Sequence, residues 1–175
     1  MLIPLKTAVE QALKRINDPT QWESLVINKR KPVTFRAFTM YNDQRICLHR
    51  FEACTESEAF IHPHQWPCRV LVLQGNYHML VGSSKTIDDV HPQFVMDMHL
   101  TKGSSYTMER ENTWHAVHPK SLCYSLMVNG PRYEDPNAAA PSTSGKGLVA
   151  MDSLELTAHL TNFKTLLQKH IKHSS

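Results

Sequence analysis

The chain has 175 residues and a mass of 20.0 kDa, with 41% hydrophobic and 20% charged residues, which suits one globular domain and excludes a disordered polymer. Its 19 Lys and Arg against 16 Asp and Glu leave a net charge of +3, short of the concentrated basic field of a nucleic-acid binder. No apolar run approaches the ~20 residues that span a bilayer, so neither nucleic acid nor membrane is expected as a partner.

The opening residues, Met1 to Thr7, lack a basic region ahead of a long apolar run and do not read as a secretory signal. Cys47, Cys54, Cys68 and Cys123 form no CxxC pair, and a chain of this size needs no disulfide framework. Reduced thiols in a cytoplasmic setting are expected. Eleven histidines against six glycines are the compositional oddity. They point to metal chemistry or proton transfer.

In chain order, Leu5, Val9, Ala12, Leu13 and Ile16 recur at helical spacing, predicting an N-terminal helix within residues 1–20. Asn17-Asp18-Pro19 ends it. From 32 to 133 short apolar runs alternate with turn residues. Val33, Phe35 and Ala37 alternate with Thr34 and Arg36, and Val70 to Leu73 is a buried run closed by Gln74-Gly75-Asn76. Tyr77, Met79 and Val81 continue to a turn at Gly82-Ser83-Ser84. Phe94, Met96, Met98 and Leu100 make another strand pattern, and Leu122, Tyr124, Leu126 and Val128 the last. Such spacing predicts an antiparallel sandwich or barrel. Residues 134–150 read as a loop, and its Gly-Lys-Gly lacks the spacing of a phosphate loop. A C-terminal helix is predicted from Ser153 to His170, capped by Asp152 and Glu155, with Leu156, Leu160, Phe163 and Leu167 as its stripe. His159, His170 and His173 are expected to face solvent.

The chemistry concentrates in Phe60-Ile-His-Pro-His-Gln-Trp-Pro-Cys-Arg. His62 and His64 are two positions apart, so an extended backbone turns both imidazoles to one face. Pro63 and Pro67 remove amide donors and suit a rim or an edge. A third ligand must come from Asn112-Thr-Trp-His-Ala-Val-His-Pro. His115 and His118 cannot both face inward from one regular strand, and His118 abuts Pro119 at the strand end. His115 is therefore the expected third ligand. Three neutral imidazoles on a divalent cation leave positions open for substrate, water or dioxygen.

This stretch resembles the first motif of the cupin superfamily, a His-x-His followed by Glu and then Gly. His62, His64 and Gly75 match the histidines and the closing glycine, while Cys68 stands in place of the Glu. Gly103 and His115 resemble the ends of the second cupin motif, whose internal proline and glycine are Glu109 and Glu111 here. The resemblance covers roughly residues 33–133. It implies a mainly β, cupin-like double-stranded β-helix (jelly roll) in a single domain, 1–175, with an α-helix at each end. It also implies a metal site of His62, His64 and His115.

A three-histidine site with a cysteine near the missing carboxylate is similar to that of thiol dioxygenases, where the cysteine can be joined to a tyrosine. Tyr77, Tyr106 and Tyr124 are the available partners of Cys68, which otherwise reads as a small core residue. The expected function is that of a mononuclear Fe(II) dioxygenase acting on a small organic acid or thiol. Zn, Ni or Mn are the alternative metals. A metal-dependent isomerase, epimerase or decarboxylase, or a non-catalytic ligand-binding barrel, are the competing readings. The full 2+ charge left by three neutral ligands favours an anionic small-molecule substrate. A homodimer is compatible with the fold.

Arg50 and Arg69 flank the motif and are candidates to clamp a carboxylate, with Arg69 on the opposite parity. Trp66 suits either a pocket wall or packing, and His49 and His78 read as satisfied core histidines. Asn28-Lys-Arg-Lys reads as a solvated turn. Glu111 is a remote substitute for the motif carboxylate.

Overall fold

The computed structural model describes residues 1–84, 92–111, 113–133 and 148–174. Most of the expected 134–150 loop lies outside the described residues. Among the described residues, ten strands form two antiparallel sheets: β1 (Glu23–Ile27), β2 (Thr34–Tyr41), β3 (Gln44–Phe51), β4 (His62–Pro63), β5 (Cys68–Gln74), β6 (Asn76–Ser83), β7 (Gln93–Thr101), β8 (Ser105–Met108), β9 (Thr113–Pro119) and β10 (Cys123–Asn129). The six-stranded sheet runs β1-β2-β3-β10-β5-β8 and the four-stranded sheet β4-β9-β6-β7. Helices α1 (Leu5–Arg15) and α2 (Ser153–Ser174) stand at the two ends of the chain. The architecture is jelly-roll-like and mainly β.

The six-stranded sheet is buried on both faces. One face carries Ile46, Leu48, Leu71, Leu73, Leu126 and Val128, which pack against Ala8, Val9 and Ala12 of α1 and Leu160, Phe163 and Leu167 of α2. Together they form the principal apolar core. The other face meets the four-stranded sheet. Val72 joins Tyr77, Met79, Leu100 and Val117 there, and Cys47, Cys68, Val70, Met108 and Met127 form an adjoining cluster. Burial on both faces explains the near-continuous apolar runs of β5 and β10.

Several expectations are refined by this arrangement. Asp152 caps α2, its Oδ1 accepting from the Glu155 amide at 2.8 Å, but the helix continues a turn past His170. His159 does not face solvent. It is buried beside Phe163, and its Nε2–H donates to the Leu48 carbonyl at 3.1 Å. The apolar stripe of α2 is therefore wider than its leucines indicate, because position 159 lies one turn before Phe163 on the sheet-facing side. Leu122 precedes β10 and is exposed. In β7 the alternation yields burial only at Leu100, since Phe94, Val95 and Met96 lie exposed on the edge strand of the smaller sheet.

Candidate metal centre

The His-Pro-His segment is placed by a two-residue strand. His62 pairs with His115 and Pro63 with Trp114, and the His64 amide donates to the Thr113 carbonyl at 2.8 Å. Pro63 lacks a donor, so this pairing stays short and sits at the sheet edge. Beyond it the chain leaves the smaller sheet, and β5 enters the larger one at Cys68. This crossing takes Cys68 onto a different sheet from the His62 strand. Cys68 is fully buried among Cys47, Val70, Met108 and Met127, and burial pushes its thiol up to about 12. It is a core residue that packs near Tyr106 rather than a member of the histidine group.

His62, His64 and His115 converge. One ring nitrogen from each lies within 4.8 Å of the others. The Nε2 atoms of His62 and His115 are 3.0 Å apart, and the His115 ring centroid is 4.5 Å from that of His62 and 4.6 Å from that of His64. His118 takes the opposite face of β9, stacked at 5.1 Å on His78, which itself stacks at 4.7 Å on His99 and lies 3.5 Å from Asp97. His78 is thus neither core-satisfied nor near the centre. Glu111 is exposed and outside the histidine group.

Each converging ring has its Nδ1 engaged. His62 Nδ1 lies 3.1 Å from the Phe60 carbonyl, His64 Nδ1 3.3 Å from the Trp66 carbonyl, and His115 Nδ1 3.4 Å from the Met79 sulfur. A carbonyl only accepts, so Nδ1 of His62 and His64 carries the proton and Nε2 presents a lone pair. Backbone partners of this kind orient metal-binding imidazoles and fix their tautomer. Burial, followed by the neighbouring His64 charge, lowers His62 to about 3. Burial lowers His64 to about 4 and holds His115 well below the usual imidazole range. All three rings are therefore neutral at neutral pH, the state that ligates a cation.

The geometry fits an ion. With metal–nitrogen distances of about 2.1 Å, two adjacent ligands at roughly 90° place their nitrogens about 3.0 Å apart. His62 and His115 have that separation. The same distance serves an N–H···N bond only if His115 abandons its Nδ1–H···S contact for the other tautomer.

The group borders two adjoining cavities of about 100 and 290 Å³, which share Ile27, Arg30, Arg36, Phe60, His62, His64 and Met127. Tyr77, Tyr106 and His115 line the smaller one and Trp66 the larger. Sequence reasoning missed Arg30 and Arg36. Arg36 donates through Nε to His49 Nε2 at 2.6 Å, its register partner on β3, so His49 is buried and satisfied as expected and also lines the smaller cavity. Arg30, from the turn read as solvated, lies 4.3 Å over the Phe60 ring. Arg50 and Arg69, the candidate carboxylate clamps, line neither cavity, and Arg50 stacks on Phe35 at 3.6 Å. The Tyr77 hydroxyl donates to that of Tyr106 at 3.3 Å, and burial raises both phenols so that they stay protonated.

No protein-family model and no curated protein matches this chain. Among solved structures it is similar to hydroxypropylphosphonic acid epoxidase from S. wedmorenis, at 17% identity over 61% of this chain and 55% of that one, with a TM-score of 0.46. It is also similar to Fe(II) HppE in complex with substrate, at 18% identity over 63% and 57% of the two chains, with a TM-score of 0.49. The corresponding figures for Co(II) HppE in complex with substrate are 18%, 58%, 54% and 0.44. The match spans little more than half the length of these proteins.

Proposed function

We propose that His62, His64 and His115 hold a divalent metal ion, with Fe(II) favoured, in a cupin-type site that acts on a small organic acid or thiol. The observation that carries this is the convergence of bare Nε2 atoms. The His62 Nδ1 proton is directed to the Phe60 carbonyl, and while His115 keeps its Nδ1–H···S contact the two Nε2 lone pairs, 3.0 Å apart, repel unless a cation lies between them. Three neutral ligands leave the ion its full charge and open positions.

Such an ion supplies Lewis acidity and, as iron, electron transfer to dioxygen at those open positions. The remaining work falls to the chain. His62 and His64 are held in the ligating tautomer by the Phe60 and Trp66 carbonyls. Phe51, Val70 and Val117 give the cavity dry walls, which strengthens every charge interaction inside it. The Tyr106 hydroxyl, which accepts from Tyr77 and is kept protonated, offers a hydrogen-bond donor to a ligand oxygen in the cavity.

Metal analysis of the purified, reconstituted protein tests the proposal. Stoichiometric iron with oxygen uptake on addition of a thiol or acid substrate supports the dioxygenase. Zinc, nickel or manganese without oxygen uptake supports the isomerase or decarboxylase alternative. Failure to take up any metal leaves the ligand-binding barrel and overturns the metal reading.

A further inference from the structure

We propose that Arg30 and Arg36 form an oxyanion subsite facing the three imidazoles, so that the ligand of this pocket is a small bifunctional acid. One end is gripped by the guanidinium groups. The other end reaches the metal, and this second half rests on the reading above.

Charge accounting within the cavity leads to this. Arg30, Lys31 and Arg36 line the same cavity as His62, His64 and His115, and among the described residues no Asp or Glu lines it. The adjoining cavity adds Arg45 and again no acid. A guanidinium stays protonated in proteins, and an enclosed cation without a counter-charge is costly. The two arginines also act on each other and on the histidines. Arg36 opposes protonation of His49, His62 and His64, and Arg30 that of His62.

The contacts that position the two guanidiniums are not charge-neutralising. Arg36 reaches the neutral His49 ring, and Arg30 rests on the Phe60 face. Both therefore keep unused N–H donors of the forked kind that matches carboxylate and phosphoryl oxygens. A divalent ion on the imidazoles would add two more positive charges to this enclosure. An anion bridging both sides offsets the repulsion, so metal and anion should each tighten the other's binding.

Calorimetric titration of the full chain with malonate, and separately with inorganic phosphate, tests the subsite in metal-free and Co(II)-loaded protein. The wild type is expected to bind at least one of the two anions. Arg36→Gln and Arg30→Gln are each expected to weaken that binding roughly tenfold or more while Co(II) uptake persists. Arg30 lies in a turn, so its variant keeps the test valid if Arg36→Gln folds poorly. Preference for malonate assigns a carboxylate ligand, and preference for phosphate a phosphoryl one; either supports the subsite. Anion binding that depends on the arginines in a wild type that takes up no Co(II) sustains the subsite and sinks the metal reading alone. Wild-type anion affinity in both arginine variants, or no anion binding by the wild type, overturns the proposal.

Discussion

The Nε2 atoms of His62 and His115 face each other at 3.0 Å across directly paired positions of β4 and β9. Cross-strand pairing thus does the work of joining ligands that are far apart in the chain. Losing a partner that merely orients a ligand costs about 10–100-fold in metal affinity, so losing a ligand is expected to cost at least the upper end of that range. His62→Ala and His115→Ala should each abolish stoichiometric metal binding. His118→Ala, on the opposite face of β9, should leave it intact. Full metal occupancy in either of the first two variants, measured by mass spectrometry after dialysis, would remove the ligand assignment.

The same burial that keeps these rings neutral makes the metal-free protein acid-sensitive. His62 and His64 are held at about 3 and about 4, His159 at about 4, and His49 and His115 are also depressed. In the unfolded chain each would titrate near 6.5, so below that pH the unfolded state binds more protons than the folded one. Stability is therefore full above about pH 6.5 and falls as the pH drops toward 4, by about 1.4 kcal/mol per pH unit for each ring still neutral in the fold. Urea midpoints of chelator-treated protein should decline steeply over that window. A flat profile between pH 7 and pH 4.5 would contradict the buried, neutral imidazoles.

The histidine pair was legible because a strand has a period of two, which places His62 and His64 together whatever the rest of the fold does. His115 was separable from His118 by the same parity. Arg36 was not legible. In β2 the polar positions Thr34 and Arg36 look inward to the cavity, while Ala37 faces the helices. Alternation reports two faces but not which of them borders a cavity when both are covered. Cys68 was legible as a small core residue, and its separation from the histidine group follows from a change of sheet between His64 and Cys68, which no periodic signal marks. His159 was misread because an imidazole on an amphipathic helix is assigned to water unless its partner is known. That partner, the Leu48 carbonyl, is 111 positions away.

His159 and Phe163 pin α2 to the six-stranded sheet. Phe163 is fully buried and meets Tyr124 edge-on at 5.4 Å, and His159 satisfies a carbonyl of β3. Phe163→Ala should cost about 3–5 kcal/mol through the cavity it leaves. His159→Ala should cost about 1–3 kcal/mol by removing a buried ring together with its hydrogen bond to the Leu48 carbonyl. Both lie across the sheet from the histidine group, so metal stoichiometry below the melting temperature should match the wild type. Loss of metal at a temperature where circular dichroism shows a native fold would mean that the helix layer shapes the site.

Gly75 and Gly103, the two glycines that mark the turns after β5 and before β8, separate two kinds of constraint. Both have positive φ, +80° and +90°, so an L side chain at either costs about 1–2 kcal/mol of backbone strain. At Gly75 a Cβ would also lie 2.7 Å from the Leu122 carbonyl oxygen and 3.0 Å from the Cys123 Cα, whereas at Gly103 nothing lies within 4 Å. Those obstacles are backbone atoms at the start of β10, which is hydrogen-bonded to both β3 and β5 and has little freedom to retreat. Gly103→Ala should therefore show the strain alone, and Gly75→Ala a total of about 2–4 kcal/mol once crowding of the packed backbone is added. Equal losses for the two variants in denaturant unfolding would show that the β5–β6 turn does not press on β10 as the structure has it.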